Sequence, residues 1–515
     1  MKRVLIIFAL LILQVVFVNA IPAEQLVFAS PTARTLVESA IEAMGGLERL
    51  QSIKTLQFKA NGHQFLLEQS ERPAGPWLIA YRQISETRDL EKGRVSQEIT
   101  AQNPGTAQAS NLTTIVADNV AAVKVGDNIR AFSMAQVEEA EESIALSPER
   151  VLLTALAAKD LRLEKSEMLQ DVRHNVIAFT WKNAPVKVFL NADTNLPTAV
   201  EIIRARPFDA FWNVWGDFPT RTYFSFWMLE TNGLHYPHQW DVERNNQPLR
   251  SLTISELKIN PEIQAQAFTV PDDVRQAFAA RGATKINDLS LGLPNAPAKE
   301  IVPNFIQIPG RWNIAIIKQT DGIIILEAPI SSGYSAKVVE EVARRFPGAK
   351  IKAVISTSDS FPHLGGLREY IGRGVPAYIL DVNQPIVERL LNAEYRTFPD
   401  ALAKNGRRAK LNIVRTKTVV GIGANRLELY PIRSETGERM MMVYAPEYHL
   451  LYGSDMVQPQ PDGTFFMLQY ISELVAAAKR ESLRVEKVFA MHSEILTWSS
   501  MEKALEPKQR QSTQN

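Results

Sequence analysis

The loop between Ala353 and Gly366 carries side chains whose types and spacing suit chemistry. Within seven residues it has three hydroxyl groups, the carboxylate of Asp359 and the imidazole of His363. The apolar segment from Ile351 to Ile355 predicts a buried strand that runs into this loop, and a helix is expected to begin near His363. Imidazole and carboxylate groups bind zinc or iron, whereas a serine hydroxyl is a poor ligand unless it is deprotonated. The loop therefore mixes good metal ligands with poor ones.

This order of strand, loop and helix resembles the metallo-β-lactamase superfamily. The superfamily pattern is Thr-His-x-His-x-Asp-His, followed by an apolar residue and Gly-Gly. The positions that match it are Thr357, His363, Leu364, Gly365 and Gly366. The positions that depart from it are Ser358 and Ser360, which replace the two leading His residues, and Pro362, which replaces the Asp. The resemblance implies a metal site that has lost the ligands of the family's first metal.

Two later segments extend the resemblance. The segment from Val443 to Pro459 is similar to the family's strand, turn and strand that end in a metal-bridging Asp, which gives Asp455 that role. The segment from Val485 to Trp498 is similar to the last ligand motif, which gives His492 the role of a ligand. The family also supplies a His shortly before the Tyr-x-Pro strand, but residues 434–442 contain none.

The resemblance implies that His363, Asp455 and His492 hold one metal ion, with Zn expected and Fe or Mn as alternatives. Two His and one carboxylate form a workable metal set that leaves positions open for water or substrate. Asp359 is the nearest residue that could replace the missing Asp as a base or a fourth ligand. The alternative is a site without metal, in which His363 caps a helix, Asp455 bonds loop amides and His492 is a half-buried histidine.

Two functions follow from these alternatives. The first is an exported hydrolase of metallo-β-lactamase fold, with an atypical single-metal site that acts on an ester, a lactone or a similar small or amphipathic substrate. The second is a catalytically inactive protein of the same fold that binds an apolar ligand or a partner. Metal content separates the two, since only the hydrolase needs a bound ion.

The N-terminal segment has the pattern of a signal peptide over residues 1–20. Lys2 and Arg3 precede an apolar run from Val4 to Val18, and Ala20 ends a small-residue cleavage site. The chain has no cysteine, so it forms no disulfide and has no lipid-attachment site. Net charge is +1, from 57 basic and 56 acidic residues, which excludes a strong attraction to nucleic acid. We expect a bacterial periplasmic or secreted protein with no integral membrane span after cleavage.

The 515 residues are too many for one ordinary domain. Alternating apolar residues predict an α+β protein whose N-terminal part, residues 24–285, is a curved antiparallel sheet with helices. The layout of this part resembles the half-barrel domains of periplasmic lipoprotein carriers. A linker is expected over residues 286–303 and a disordered tail over residues 506–515. The resemblance implies a four-layer αββα sandwich for residues 304–505.

Aromatic residues are concentrated between Phe208 and Trp227, where nine occur in twenty positions. Such a cluster could line a cavity for an apolar ligand or cover the second domain. Ordinary core and interdomain packing is the other interpretation, because aromatic clusters are more often core than binding site.

Overall fold

A long antiparallel sheet occupies the first half of the chain. A computed structural model describes residues 32–67, 75–106, 108–406 and 410–506, so the predicted signal peptide and nearly all of the predicted tail lie outside the described residues. The strands of this sheet are β1 Thr55–Leu66, β2 Leu78–Asp89, β3 Arg94–Gln102, β4 Ser110–Ala117, β5 Val120–Val125, β6 Asn128–Ala131, β7 Arg162–Leu163, β8 Glu167–Leu169, β9 Val172–Trp181, β10 Ala184–Asn191, β11 Pro197–Arg204, β12 Phe218–Leu229, β13 His235–Arg244 and β14 Gln247–Ile259. The helices of this half are α1 Ala33–Met44, α2 Leu47–Ser52, α3 Met134–Ala145, α4 Pro148–Ala157 and α5 Asp272–Arg281.

Neighbouring strands in this sheet are mostly neighbours in sequence, with exceptions at one edge, where β7 pairs with β9, and at the centre. β1 pairs with β2 on one side and with β14 on the other. The loop ends beside this pair are also tied together, because the Asn260 side chain accepts a hydrogen bond from the Lys54 amide across 206 residues of chain. One face of the sheet is covered by α1 and α4, whose buried apolar residues share a core with β1, β9 and β13. The first strand of this half is therefore held against its last strand, β14.

The helix α3 is fixed to the sheet by charge. Glu139 Oε2 lies 2.9 Å from Arg244 Nη2 and 3.8 Å from Arg206 Nη1, and Glu139 Oε1 lies 3.9 Å from Arg250 Nη2. Burial alone would raise the pKa of Glu139, but the three guanidinium groups outweigh it and hold that pKa well below its ordinary value. Glu139 therefore stays ionised in the folded chain to a lower pH than in the unfolded chain.

We expect Glu139→Gln to flatten the dependence of stability on pH in the acidic range. A carboxyl with a lowered folded pKa stabilises the fold above its unfolded pKa of about 4.3, and this contribution is lost as pH falls toward the folded pKa. Urea unfolding from pH 7 to pH 3 should show the variant less stable at pH 7, with a smaller decline on acidification. Glu141→Gln, which breaks a pair with the exposed Lys182 side chain, is the control. Parallel curves for Glu139→Gln and the wild type would contradict the expectation.

Two smaller sheets occupy the second half of the chain. The seven strands of the first are β15 Lys299–Val302, β16 Phe305–Ile308, β17 Ile314–Gln319, β18 Gly322–Leu326, β19 Ile351–Ile355, β20 Ala377–Leu380 and β21 Leu411–Val414. The six strands of the second are β22 Thr418–Val420, β23 Leu427–Pro431, β24 Met441–Ala445, β25 Leu450–Tyr452, β26 Lys487–Ala490 and β27 Ser493–Thr497. The helices are α6 Ser332–Arg345, α7 Phe361–Leu364, α8 Leu367–Gly372, α9 Gln384–Leu391, α10 Ala401–Asn405, α11 Leu468–Arg480 and α12 Trp498–Leu505. Short 3-10 helices lie at Trp212–Trp215, Ala265–Phe268, Ile286–Asp288, Asp381–Asn383 and Pro446–Tyr448.

The two smaller sheets share one apolar core. Ile317, Ile324 and Ile355 of the first sheet pack with Leu429 and Val443 of the second. The other face of the seven-stranded sheet packs against α6, α8 and α9. The other face of the six-stranded sheet packs against α11 and α12. Central strands such as β18 and β24 are buried on both sides, which accounts for the continuous apolar runs in their sequences.

The prediction of a mixed α+β protein is confirmed, although several elements differ from the sequence prediction. The helix α3 and the strands β3 and β4 were not predicted, because their polar outer faces give weak apolar patterns. The alternating apolar residues over 122–132 predict a single strand, whereas the structure has the hairpin of β5 and β6, with Gly126 in the turn at a positive φ of 57°. Within the described residues, no helix combines the length and the apolar character needed to span a bilayer.

Candidate functional site

The site is formed where loops from both smaller sheets meet. Residues 356–360 follow β19 of the seven-stranded sheet, whereas Asp455 and His492 follow β25 and β26 of the six-stranded sheet. Because β25 and β26 are parallel and adjacent, their carboxyl ends deliver Asp455 and His492 to the same edge. The sheets thus bring three distant segments of the sequence together.

Hydrogen bonds between these loops fix their relative positions. The hydroxyl oxygens of Thr357 and Ser454 are 2.7 Å apart, and both side chains are buried. The backbone amide of Met491 donates to the carbonyl of Ser454 at 3.1 Å. The amide of Met441 donates to the carbonyl of Thr357 at 3.0 Å. Thr357, which matches the superfamily pattern, therefore links the two smaller sheets through hydrogen bonds.

His363 is completely buried and is paired with a carboxylate. Its Nδ1 lies 3.1 Å from Glu327 Oε1, and neither side chain is exposed to solvent. Glu327 also accepts hydrogen bonds from the hydroxyl and the amide of Thr357. Burial alone would lower the pKa of His363, but the charge of Glu327, with smaller contributions from Asp455 and Asp359, raises it above its ordinary value. The ring Nε2 is buried and has no hydrogen-bond partner.

Asp455 and His492 form a second pair, which is open to solvent. Asp455 Oδ1 lies 2.7 Å from His492 Nε2, and the side chains are 23% and 28% exposed. Gln458 Nε2 also donates to Asp455, to the side chain at 3.1 Å and to the carbonyl at 2.8 Å. Burial raises the pKa of Asp455, but the hydrogen bond from His492 and the nearby charge of His363 together hold it below its ordinary value. Asp455 is therefore a carboxylate whose partner is a histidine of the same chain.

Asp359 belongs to a third pair, with an arginine. Arg439 Nε donates to Asp359 Oδ2 at 2.7 Å, and the two side chains are only 8% and 15% exposed. Arg439 Nη2 also donates to the side-chain oxygen of Asn383 at 3.2 Å, and the Asn383 amide returns a hydrogen bond to the Arg439 carbonyl. Burial raises the pKa of Asp359, and Arg439 opposes this rise. The Arg439 guanidinium is thus oriented by Asn383 and donates to the carboxylate of Asp359.

Arg439 is a residue of the candidate site that the sequence prediction missed. It lies in residues 434–442, where the superfamily has a metal-ligating His and this chain has none. One signal was available in the sequence: a lone arginine beside the apolar run Met440 to Tyr444, where a charge is costly unless a partner exists.

The three candidate ligands do not form a metal site as they stand. Among the described residues there is no group of three or more His, Asp or Glu side chains placed to hold a metal ion. Asp455 and His492 are together, but each is bonded to the other, and the buried His363 is bonded to Glu327. The Nε2 atom of His363 has no hydrogen-bond partner, and it is the kind of atom that a ligating histidine presents to a metal.

The two glycines of the pattern are needed for packing. A Cβ at Gly366 would overlap the hydroxyl of Ser335 on α6, and a Cβ at Gly365 would lie 2.8 Å from a methyl group of Val214. Gly365 and Gly366 lie directly before the first turn of α8. Gly365 and Gly366 allow α8 to lie close against α6 and against the segment around Trp212.

The aromatic segment that begins at Phe208 contacts the second half of the chain. Trp212, Trp215 and Phe218 belong to the core on the helical face of the seven-stranded sheet. The ring of Phe211 contacts that of Phe361 edge to face, with centroids 5.4 Å apart. Of the interpretations of this segment, packing against the second half of the chain accounts for these four residues. A narrow crevice remains between them and the loop residues Asp359 to Phe361.

Comparisons with known proteins give only weak likenesses. No family model matches the chain, and no curated protein matches it. The inverting sec-alkylsulfatase Pisa1 from Pseudomonas sp. is 13% identical with a TM-score of 0.32, and the match covers 41% of each chain. The metallo-β-lactamase FIM-1 from Pseudomonas aeruginosa, solved in its mono-zinc form, is 12% identical with a TM-score of 0.32 over 42% of this chain and 95% of its own. A metallo-β-lactamase from Pontibacter korlensis is 14% identical with a TM-score of 0.32 over 41% of this chain and 97% of its own. The similar structures are thus an alkylsulfatase and metallo-β-lactamases, but likenesses this weak do not assign the chain to a family.

Proposed function

We propose that this chain is an exported protein with a metallo-β-lactamase-like fold that binds an apolar or amphipathic small molecule at a site without a metal centre. One observation carries the proposal. The ionisable side chains of the candidate site are matched with one another, as Glu327 with His363, Asp359 with Arg439, and Asp455 with His492.

Arg439 is central to this proposal because of its charge. A metal ion in such a site would neutralise the surrounding carboxylates, and a buried carboxylate without a cation is costly. Here the guanidinium of Arg439 lies against Asp359 and is itself fixed by Asn383. Each of the three carboxylates therefore has a nitrogen-containing partner, and Asp359 has a permanent cation beside it.

The wider organisation is part of the same proposal. We propose a signal peptide over residues 1–20 and a bacterial periplasmic or secreted location. We also propose a β-rich, lipoprotein-carrier-like domain over residues 24–285, a linker over residues 286–303, and a four-layer αββα domain over residues 304–505. The shared core of the two smaller sheets, with helices on both outer faces, supports the layer arrangement.

Metal content tests the proposal directly. The mature protein, purified without chelator, should contain far less than one transition-metal ion per chain by mass spectrometry, before and after incubation with Zn²⁺ or Mn²⁺ and dialysis. The variants His492→Ala and His63→Ala serve as the site variant and the matched control. About one ion per chain in the wild type and in His63→Ala, lost in His492→Ala, would overturn the proposal.

A second candidate function is the single-metal hydrolase, in which His363, Asp455 and His492 hold one Zn, Fe or Mn ion and the substrate is an ester or a lactone. The arrangement around His363 favours it. Ligating histidines commonly donate one ring nitrogen to a carboxylate, as His363 does to Glu327, and present the other to the metal. The unpartnered Nε2 of His363 is such an atom. Retained metal followed by turnover of esters or lactones, lost in His492→Ala, would favour this candidate.

A further inference from the structure

A groove crosses the polar face of the long sheet in the first half of the chain. Apolar residues of its strands, such as Leu56, Phe58 and Ile254, lie in the core beneath α1 and α4. Alternating side chains point to opposite faces of a sheet, and those of the other face line a groove of about 640 Å³. The groove spans six adjacent strands, from β14 through β1, β2, β3 and β4 to β5. Ligand sites are typically clefts of about 300 to 1,000 Å³, so this groove has the size of a ligand site.

Most polar side chains of the groove are neutral. They include the amides of Asn61, Gln83 and Asn111 and the hydroxyls of Ser85, Thr100 and Thr113. Four of these residues are successive cross-strand partners on β1, β2, β3 and β4, and we call them the polar row: Asn61, Gln83, Thr100 and Asn111. Thr100 Oγ1 donates to Asn111 Oδ1 at 2.7 Å, which orients the Asn111 amide. The polar row thus presents hydrogen-bonding groups at the spacing of neighbouring strands, about 4.8 Å.

The charged side chains of the groove are of both signs. Lys59, Lys124 and Glu98 line it, and Lys59 Nζ lies 2.8 Å from Glu256 Oε2 on β14. Glu98 and Lys124 are the cross-strand partners of Thr113 on its two sides. Each lysine of the groove is therefore close to a carboxylate, and the lining has no block of one charge that would select an anion or a cation.

The lining favours one class of ligand over others. An extended peptide commonly binds by adding to a free sheet edge, but β1, β2, β3 and β4 are already paired on both sides. An apolar ligand would cover amides and hydroxyls without giving them partners, which is costly. A sugar hydroxyl both donates and accepts, which matches the side chains of Asn, Gln, Ser and Thr. The units of an extended glycan also repeat at nearly the spacing of neighbouring strands.

We propose that this groove binds a linear, uncharged oligosaccharide, whose successive sugar units contact the polar row. Tyr81 lies two residues along β2 from Gln83, on the same face, and is 64% exposed. Its ring is placed to cover the apolar face of a sugar unit at one end of the groove. This inference goes beyond the proposed function, and it does not depend on whether the site in the second half of the chain holds a metal.

The test is calorimetric titration of the full mature protein with three probes: cellotetraose, maltotetraose and N-acetylchitotetraose. At least one probe should bind saturably with a dissociation constant in the millimolar range or below. We expect the double variant Asn61→Ala, Gln83→Ala to weaken this binding about ten-fold or more, since each lost neutral hydrogen bond weakens affinity about three- to ten-fold. Both side chains are exposed, so the double variant should remain folded, which circular dichroism checks.

A pair of aromatic variants provides the matched control. Phe226 is also 64% exposed, but it lies on β12, three strands from β1 and outside the groove. Tyr81→Ala should weaken binding of the probe, whereas Phe226→Ala should leave it unchanged. Failure of all three probes to bind, full affinity in the folded double variant, or tighter binding of anionic heparin fragments than of any probe would each overturn the inference. Bound metal would reject the proposed function and leave this test unaffected.

Discussion

Replacing Arg439 with alanine is expected to lower the free energy of unfolding by about 3 kcal/mol or more, because removing one partner of a buried ion pair leaves the other charge uncompensated. The side chain of Asp359 is 15% exposed and has Arg439 as its cationic partner at 2.7 Å. The variant also loses the hydrogen bond from the guanidinium to Asn383. Chemical denaturation at neutral pH measures the effect. At acidic pH the loss should be smaller, because protonated Asp359 no longer needs a cation.

Two further variants make this prediction specific. Arg433→Ala breaks a pair with Asp381 in which the side chains are 36% and 27% exposed, and it should cost about 1 kcal/mol or less. Asp359→Asn in the Arg439→Ala background should recover part of the stability, because the uncompensated carboxylate is gone. Equal losses in Arg439→Ala and Arg433→Ala would show that the buried pair has no special importance.

Replacing Glu327 with alanine is expected to destabilise the chain by about 3 to 5 kcal/mol, since several buried donors lose their acceptor. Glu327 accepts from His363 Nδ1 and from the hydroxyl and amide of Thr357, and all three side chains are essentially excluded from water. Glu327 also adopts a positive φ of 75°, a conformation that side-chain-bearing residues rarely keep without support from their surroundings. The loss is measured by the midpoint and slope of guanidinium unfolding.

The control for this prediction is Glu388→Ala, because Glu388 is exposed and its carboxylate accepts a hydrogen bond from the Gln384 side chain of the same helix. It should change the free energy of unfolding by about 0.5 kcal/mol or less. If Glu327→Ala were as mild as Glu388→Ala, the buried Glu327–His363 pair would not be important for the fold.

Elements with a continuous run of apolar residues were predicted well from the sequence. The strand Ile351–Ile355 was predicted with its observed bounds, and the following helix begins close to His363 as expected. The half-exposed strands β3 and β4 were missed, because alternating polar residues such as Gln97 and Thr113 carry little apolar signal. The hydrophobic pattern of the sequence therefore identified buried strands but not strands with one face exposed to water.

At the candidate site, the sequence indicated which residues lie near one another but not which partner each residue takes. The parallel exit of β25 and β26 brings Asp455 and His492 together, as the family resemblance implied. Asp359 was predicted as a base or an extra ligand, but which partner it takes depends on a long-range contact with Arg439, 80 residues away. Partners at that separation are set by the packing of loops, which local patterns do not encode.

The pairing of β1 with β14 also constrains the order in which the chain can fold. A chain that is synthesised or threaded from its N-terminus presents β1 long before β14, and the two meet across more than two hundred residues. Non-local pairing of this kind has a high contact order, so it slows folding and leaves a strand edge open in the meantime. Any product that ends before Gln247 lacks β14 and keeps that edge exposed, and such fragments should associate through it. The first half of this molecule can therefore reach its native pairing only when its last strand is present.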